Sequence, residues 1–538
     1  MTKESSPRIV FFGPGMRADI PPGDFGNKAS GLGIMSALGI SIPPGFALNV
    51  SICEEYYKNG MKAPFFLPEL LKEGISYLEH ATGLQYGSER KPLLVSVRSG
   101  APVSMPGIMD TILNVGLNIE TVRGLIFLTG NPRFAWDSYR RLFENMAEIV
   151  FRQNPRQYQE ILSEMMEQEE ITDVFEMDSA SLKRLASEYQ RLFFISENSE
   201  FPGDVYKQLL VSSLAVLRSW TNPRADSFRR MHPEQNLRGT AITIQAMVFG
   251  NMGLNSGAGV VFTRNPWSGE NEPVIDFKFG AQGEDVVSGN QSATTQNELK
   301  KSMPSVYEDL RQIGRTVELH FHDMQDMEFT VQEGKLYILQ SRDGKRSPMS
   351  ALRIAVEMWR EGMITPDIAL SHVEDLDLDA IKVHSLSTLD YPIAAGTSAS
   401  GGVATGSVVF TVERAKKEAP SGGVILVRET ASTEDIEGIR VASGLLTAKG
   451  ARTSHAAVVA RQMGKVCIVN CAGLEIDFSR HKCHLGGHVI REGDTISLDG
   501  NSGAVYTGVV STAYEKPVEL LDIVRTWKKS LPENGVVE

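Results

Sequence analysis

Thr447-Ala-Lys-Gly-Ala-Arg-Thr-Ser-His-Ala-Ala-Val-Val-Ala-Arg-Gln-Met-Gly-Lys465 is the stretch whose reading decides the fold of this chain. The small apolar run at 444–447 reads as a strand that leads into a Gly-containing turn. Thr453 or Ser454 can cap a helix whose first turn carries His455. Ala456, Ala457, Val458, Val459 and Ala460 continue that helix, and Gly464 is placed to end it. Free N–H groups and the positive end of the helix dipole favour an anion at this position. Neutral imidazole is also a competent nucleophile near pH 7. For an isolated Ser-His pair, a histidine that merely sits in a first helical turn would be the better reading.

Bulk properties set the bounds around this segment. At 538 residues one core is too few, and two to four domains are expected. Apolar residues make up 42%, ample for globular cores. A net charge of −12 opposes nucleic acid or an anionic membrane as a general partner, though a local basic pocket for phosphates stays open. The N-terminal apolar run at 9–12 is too short for a signal peptide, and no stretch has the length of a membrane span. Cys53, Cys467, Cys471 and Cys483 read as free thiols of a reducing compartment, so a cytoplasmic location is expected.

Toward the N-terminus, residues 8–12 read as a strand, and Gly26-Asn-Lys-Ala-Ser-Gly-Leu-Gly as a Gly-rich turn opening a helix. Lys28 adds a point charge to a turn of the kind that approaches phosphates, although most such turns bind nothing. Residues 93–97 read as a buried strand delivering Arg98-Ser-Gly into a loop. Arg98 can fork onto phosphate oxygens there, or form a surface ion pair. Residues 133–220 read as helical, with Leu142, Phe143, Met146, Ile149 and Val150 on one face and Arg140 and Arg141 solvated or paired. Segment 164–170 reads as an acidic surface helix. Strands return at 241–248 and from Gly259. In Asp326-Met-Glu-Phe-Thr-Val, alternation sends Asp326 and Glu328 to one face. Leu336-Tyr-Ile-Leu-Gln-Ser-Arg does the same for Gln340 and Arg342, and the two strands make a hairpin across Gln332-Glu-Gly-Lys. Clustered oxygen ligands suit Mg²⁺, while periodicity alone favours a solvated face.

The string Gly-x-x-Thr-Ser-His-Ala-Ala-Val-Val-Ala-Arg-x-Met-Gly resembles the phosphohistidine segment of the pyruvate phosphate dikinase and phosphoenolpyruvate synthase family. Val-Arg-Ser-Gly-Ala, Met-Pro-Gly-x-Met-Asp-Thr and Leu-Gln-x-Arg resemble the same family, and the likeness runs over essentially the whole chain. It implies an α/β multidomain fold. An ATP-grasp nucleotide-binding domain at 1–342 carries a helical insertion at about 120–235, and a helical linker follows at 343–389. A swivelling phosphohistidine domain occupies 390–511, and a linker-like helix 512–538. The resemblance implies ATP contacts at Lys28, Arg98, Gln245, Met247, Asp326 and Arg342. It implies Mg²⁺ on Glu328 and Gln340, and catalysis by His455 with Arg342 at the transferring group.

Several positions depart from the family pattern. Asn27 and Ala29 replace glycines, and Pro102 and Gln291 stand where the family has arginines. Gly450-Ala-Arg replaces Gly-Gly-Met before Thr-Ser-His. Thr453 matches a threonine regulated in plant-type relatives, and no such regulation is predicted here. His481-Lys-Cys-His-Leu-Gly-Gly-His is no standard zinc spacing, and a Gly-Gly loop between strands explains it without metal. The family's C-terminal pyruvate-binding barrel has no counterpart in these residues.

The implied activity is a dikinase-type phosphotransfer. His455 attacks the β-phosphorus of Mg-ATP, AMP leaves, and a phosphohistidine passes to an acceptor. Expected partners are ATP, inorganic phosphate, and pyruvate or another small molecule on a separate subunit, with a homodimer among the allowed assemblies. The rival readings are a non-pyruvate acceptor and an ATP-binding regulatory protein without turnover.

Overall fold

The computed structural model describes residues 7–17, 19–102, 111–231, 237–287, 294–386, 391–431, 433–452 and 454–530. The chain divides into two compact units. One comprises Met1–Ser256 with Tyr337–Gln340, and the other Gly257–Leu336 with Ser341–Glu538. This division falls inside the stretch 1–342.

The first unit is built on an antiparallel sheet of β1 (Ile9–Phe12), β2 (Gly45–Leu48), β3 (Val95–Gly100), β4 (Thr111–Val115) and β5 (Ala241–Ala246), in the order β1-β2-β5-β3-β4. Every residue of β2 and β5 is buried, as expected for near-continuous apolar strands covered on both faces. The helix α1 (Pro22–Ala37) begins four residues before the Gly-rich turn, with proline at its start. Gly26, at φ 80° and ψ 155°, breaks it internally, so the expected turn is an interruption within the helix. Arg98 also differs from expectation. It lies inside β3, because pairing to Thr243 of β5 and Thr111 of β4 carries the strand on to Gly100.

The expected helical region is present. The helix α2 (Pro132–Asn145) buries Phe134, Leu142 and Phe143 and ends in a π turn, Met146–Val150. Arg140 and Arg141 are buried and paired with Asp137, which takes one oxygen to each. Helix Pro155–Gln168 keeps Tyr158 and Met165 buried and most of its acidic residues outside.

Among the described residues the second unit holds two large sheets and two small ones, of three and two strands. The first orders β6 (Gly257–Phe262), β7 (Val274–Phe279), β8 (Thr294–Thr295), β9 (Gln325–Gln332) and β10 (Lys335–Asp343) as β8-β7-β6-β9-β10. Helix α3 (Pro304–Phe321) leads into β9. The second sheet has eight strands: β11 (Ala394–Ala395), β12 (Thr397–Ser400), β13 (Val403–Val409), β14 (Val424–Arg428), β15 (Gly444–Thr447), β16 (Val466–Val469), β17 (Thr495–Asp499) and β18 (Ala504–Thr507). They are ordered β11-β18-β17-β13-β14-β15-β16-β12, and β13 to β16 run parallel. Parallel strands need crossovers, and their helices cover the sheet on its apolar faces. The histidine cluster at 481–488 forms a hairpin, Lys482–Leu485 with His488–Arg491, turned by Gly486 and Gly487 at positive φ. The four cysteines are free and buried. No helix among the described residues is long and apolar enough to cross a membrane.

Helix α4 (Pro348–Arg360) and the short helix Pro366–Ser371 pack with α5 (Val518–Ser530) around Leu352, Met358, Leu521, Val524 and Trp527. The two segments expected as separate linkers therefore share one apolar core.

Candidate active site

The hairpin β9–β10 forms as alternation predicts. Its turn residues Glu333 and Gly334 both have positive φ, 49° and 80°, which suits the right-handed twist of a two-residue hairpin. Register then aligns a row of side chains across three strands. Asp276 of β7 stands opposite Val260 of β6, and Val260 opposite Glu328 of β9. One row on, Val274, Phe262 and Asp326 are matched in the same way. Opposed residues share a face, so Asp276, Asp326 and Glu328 occupy one acidic face.

Arg342 of β10 reaches this face. Its Nε donates to Asp326 Oδ2 at 2.9 Å, and its Nη2 lies 3.7 Å from Glu328 Oε1. Asp326 is 3% exposed, and its Oδ1 has no hydrogen-bond partner among the described residues. Burial raises its carboxyl above the ordinary carboxylate value, against the pull of Arg342. Burial pulls the Arg342 guanidinium down, and the Asp326 and Glu328 carboxylates more than reverse this. A buried carboxylate oxygen without a partner wants a water, a proton or a cation. Hard oxygen donors suit Mg²⁺, so the carboxylates of Asp326 and Glu328 fit that ion chemically.

The eight-stranded sheet presents the His455 segment to the same face. β15 ends at Thr447, and a short loop leads to α6 (His455–Gln462). Ser454 is the cap, its Oγ accepting from the Ala457 N–H at 3.4 Å. Arg452, three residues before His455, donates from Nε to Asp276 Oδ1 and from Nη2 to the Ile275 carbonyl, both at 2.9 Å. Arg461, near the other end of α6, is fully buried. It donates to the carbonyls of Ala399 and Arg452, and its guanidinium lies 5.1 Å from the Phe262 ring centroid and 5.6 Å from that of Trp267. Burial brings Arg461 down to about 10, which leaves it charged at neutral pH. Both flanks of the histidine helix therefore touch the face that bears Asp326 and Glu328. The side chain of His455 is outside the described residues, as are Thr453, Gln291 and the Met-Pro-Gly loop at 103–110.

Within the first unit, Gly26 brings α1 against the end of β3. A Cβ on Gly26 would stand 2.3 Å from the Gly100 carbonyl oxygen, and Asn27 N–H donates to Ala101 O at 3.1 Å. Lys28 and Arg98, both half-buried, therefore sit on adjoining elements. Gln245 on β5 is buried, with its Nε2 donating to Pro43 O at 3.0 Å. Met247 is half-buried just beyond that strand, its N–H donating to Leu94 O at 2.9 Å. These four residues belong to the first unit, and Asp326, Glu328 and Arg342 to the second. Gln340 is grouped with the first unit although its strand continues to Arg342.

Sequence reasoning assigned no role to Asp276 or Arg461 and noted Arg452 only as a departure. Asp276 carried a signal, a charged residue within the apolar run Val-Ile-Asp-Phe, where burial demands a partner. The partner lies 176 positions away and was not visible locally.

Two family descriptions match the chain. "Pyruvate phosphate dikinase, AMP/ATP-binding domain" matches residues 62–307 and 291–363, and "PEP-utilising enzyme, mobile domain" matches 420–503. The chain is 42% identical over 516 residues to the pyruvate, phosphate dikinase of Clostridium symbiosum, covering 94% of this chain and 59% of that protein. It is 41% identical over 488 residues to the chloroplastic pyruvate, phosphate dikinase 1 of Zea mays, covering 90% and 51%. With the chloroplastic enzyme of Flaveria pringlei it shares 42% over 488 residues, again 90% and 51%. The chain thus spans a little over half the length of these relatives.

Proposed function

The chain belongs to the pyruvate phosphate dikinase family, and from that premise we propose that it is an ATP-dependent dikinase-type phosphotransferase with His455 as its phosphoryl carrier. One arrangement carries this reading. Arg452 and Arg461, on either side of His455, rest on the sheet face that bears Asp326, Glu328 and Arg342. The proposed organisation is an ATP-grasp nucleotide-binding domain at 1–342 with its helical insertion at about 120–235 and the linker at 343–389. The phosphohistidine domain at 390–511 and a terminal helix at 512–538 complete it.

In this reading Lys28, Arg98, Asp326 and Arg342 orient the polyphosphate, and Gln245 and Met247 meet the adenine. Glu328 and Gln340 would hold Mg²⁺. When bound, the ion spreads the charge that develops on the phosphate oxygens. The imidazole of His455 attacks the β-phosphorus, the bond to the α-phosphate oxygen breaks, and AMP leaves. Arg342 stabilises the transferring group as its charge grows. The terminal phosphoryl then passes to inorganic phosphate or water, which leaves phospho-His455 to donate to an acceptor. The relatives are named for pyruvate and phosphate, and pyruvate is the acceptor proposed here. Four buried free thiols support a reducing, cytoplasmic setting.

The test is incubation with Mg-ATP labelled at the β-phosphate, beside His455→Ala. The expected result is acid-labile, base-stable label on the wild type only, with one AMP formed per label. ATP binding without label or AMP would overturn the carrier role. Pyrophosphate release that depends on added phosphate identifies phosphate, rather than water, as the second acceptor.

A further inference from the structure

Resting on the phosphotransferase reading, we infer that Arg452 is a positioning residue, a clamp that docks the carrier segment on the acidic sheet face through Asp276. Three observations support it. The contact is two-pronged: Nε binds the Asp276 carboxylate and Nη2 the adjoining Ile275 carbonyl, each at 2.9 Å. Such a fork fixes orientation as well as distance, which a point charge does not. The pair is shielded, with side-chain exposures of 12% for Arg452 and 5% for Asp276. The Arg452 guanidinium also lies 5.9 Å from the Trp267 ring centroid.

The place of the clamp gives it a function. Asp276 shares its cross-strand row with Val260 and Glu328, so the docking point stands two strand spacings, about 10 Å, from a proposed metal ligand. Arg452 precedes the first residue of α6 by three positions. Its carbonyl accepts from Arg461 Nη2 at 3.0 Å, which ties the clamp to the far end of the same helix. The carrier's lead-in loop and helix are thus held to one another and to the sheet as a unit. The clamp acts through the helix it tethers.

The experiment uses the full chain and the variants Arg452→Met, Arg452→Lys, Asp276→Asn and the double variant Arg452→Met/Asp276→Asn. The first readout is single-turnover labelling from Mg-ATP labelled at the β-phosphate, and the second is amide exchange over residues 274–279 and 455–462. We expect each single variant to slow labelling by roughly 10- to 100-fold, the scale of a misplaced reacting group. ATP affinity should hold within about twofold, and each variant should remain folded at the assay temperature, although loss of a shielded ion pair lowers its melting temperature. The double variant should be no slower than either single, because both remove one contact. Arg452→Lys should fall between, keeping charge without the fork. Amide exchange should rise in both segments in each methionine or asparagine variant. Additive losses, unchanged labelling, or unchanged exchange would overturn the clamp, as would a matching loss of ATP binding or folding. A wild type that never takes label, with exchange still rising in the variants, would defeat the phosphotransferase reading and leave the docking contact standing.

Discussion

At the residue scale, Asp137 shows how the first unit tolerates charge in its core. It is 1% exposed, yet it accepts from Arg140 at 2.6 Å, from Arg141 at 3.0 Å and from Asn251 Nδ2 at 3.0 Å. Arg140 also reaches Glu144 at 2.8 Å, and Tyr189 closes the network through its hydroxyl on Glu144 at 2.7 Å. Burial pushes the Asp137 carboxyl up, but Arg141 and Arg140 together hold it well below the ordinary carboxylate range. A folded-state value below the unfolded one, about 4, means the stabilisation is complete above about pH 4. It is lost as pH falls from there toward the folded-state value. Removing the negative charge leaves two buried guanidiniums without their shared partner, at a cost of about 3–5 kcal/mol. Asp137→Asn should lower the urea midpoint of the first unit accordingly at pH 7. The gap from wild type should narrow below pH 4, measured by far-UV circular dichroism across pH. A loss under about 1 kcal/mol, or one that does not depend on pH, would contradict this account.

At the element scale, Gly26 decides where α1 can go. Its φ of 80° with ψ of 155° lies in a region open essentially to glycine alone, and its missing Cβ is what lets the helix lie against Gly100. Gly26→Ala should cost roughly 3 kcal/mol from backbone strain alone. Because the same contact seats Lys28 beside the strand of Arg98, ATP affinity should fall at least tenfold even where the variant stays folded. Equilibrium nucleotide binding and thermal unfolding on the same samples check both, and undiminished affinity in a folded variant would refute the link. The sequence patterns were legible in proportion to how local their causes are. The hairpin of Asp326, Glu328, Gln340 and Arg342 was readable because alternation and a two-residue turn are local properties. The cap at Ser454 and the strand at Gly444–Thr447 were readable for the same reason. The start of α1 was misplaced because Pro22 begins the helix and Gly26 only interrupts it. Arg98 fell inside its strand because two neighbouring strands, one more than 140 positions away, extend the pairing. The Arg452–Asp276 contact depends on tertiary approach and leaves no periodic trace.

At the scale of the whole molecule, the segments that sequence patterning marks as linkers are structural parts of the second unit. Leu352, Ile354, Val356 and Met358 from α4 meet Leu520, Leu521, Val524 and Trp527 from α5 in one core, with the Trp359 and Trp527 rings edge-on at 5.2 Å. Trp267 and Val458 pack against that core, and Val458 belongs to the histidine helix α6. Helices that end 95 positions before the histidine and begin 63 positions after it thus support the docking of its segment. Trp527 is 4% exposed, so Trp527→Ala removes a large buried ring and leaves a cavity, worth about 3–5 kcal/mol. A ring that served only local packing would weaken the second unit and leave the carrier untouched. The shared core argues for more: the loss should appear in urea unfolding, and amide exchange should also rise over 455–462 under conditions where the variant is still folded. Trp527→Phe, which keeps most of the ring volume, should recover most of both. Destabilisation with unchanged exchange in the carrier helix would show that the linker core and the docked segment are energetically separate, and would overturn this reading.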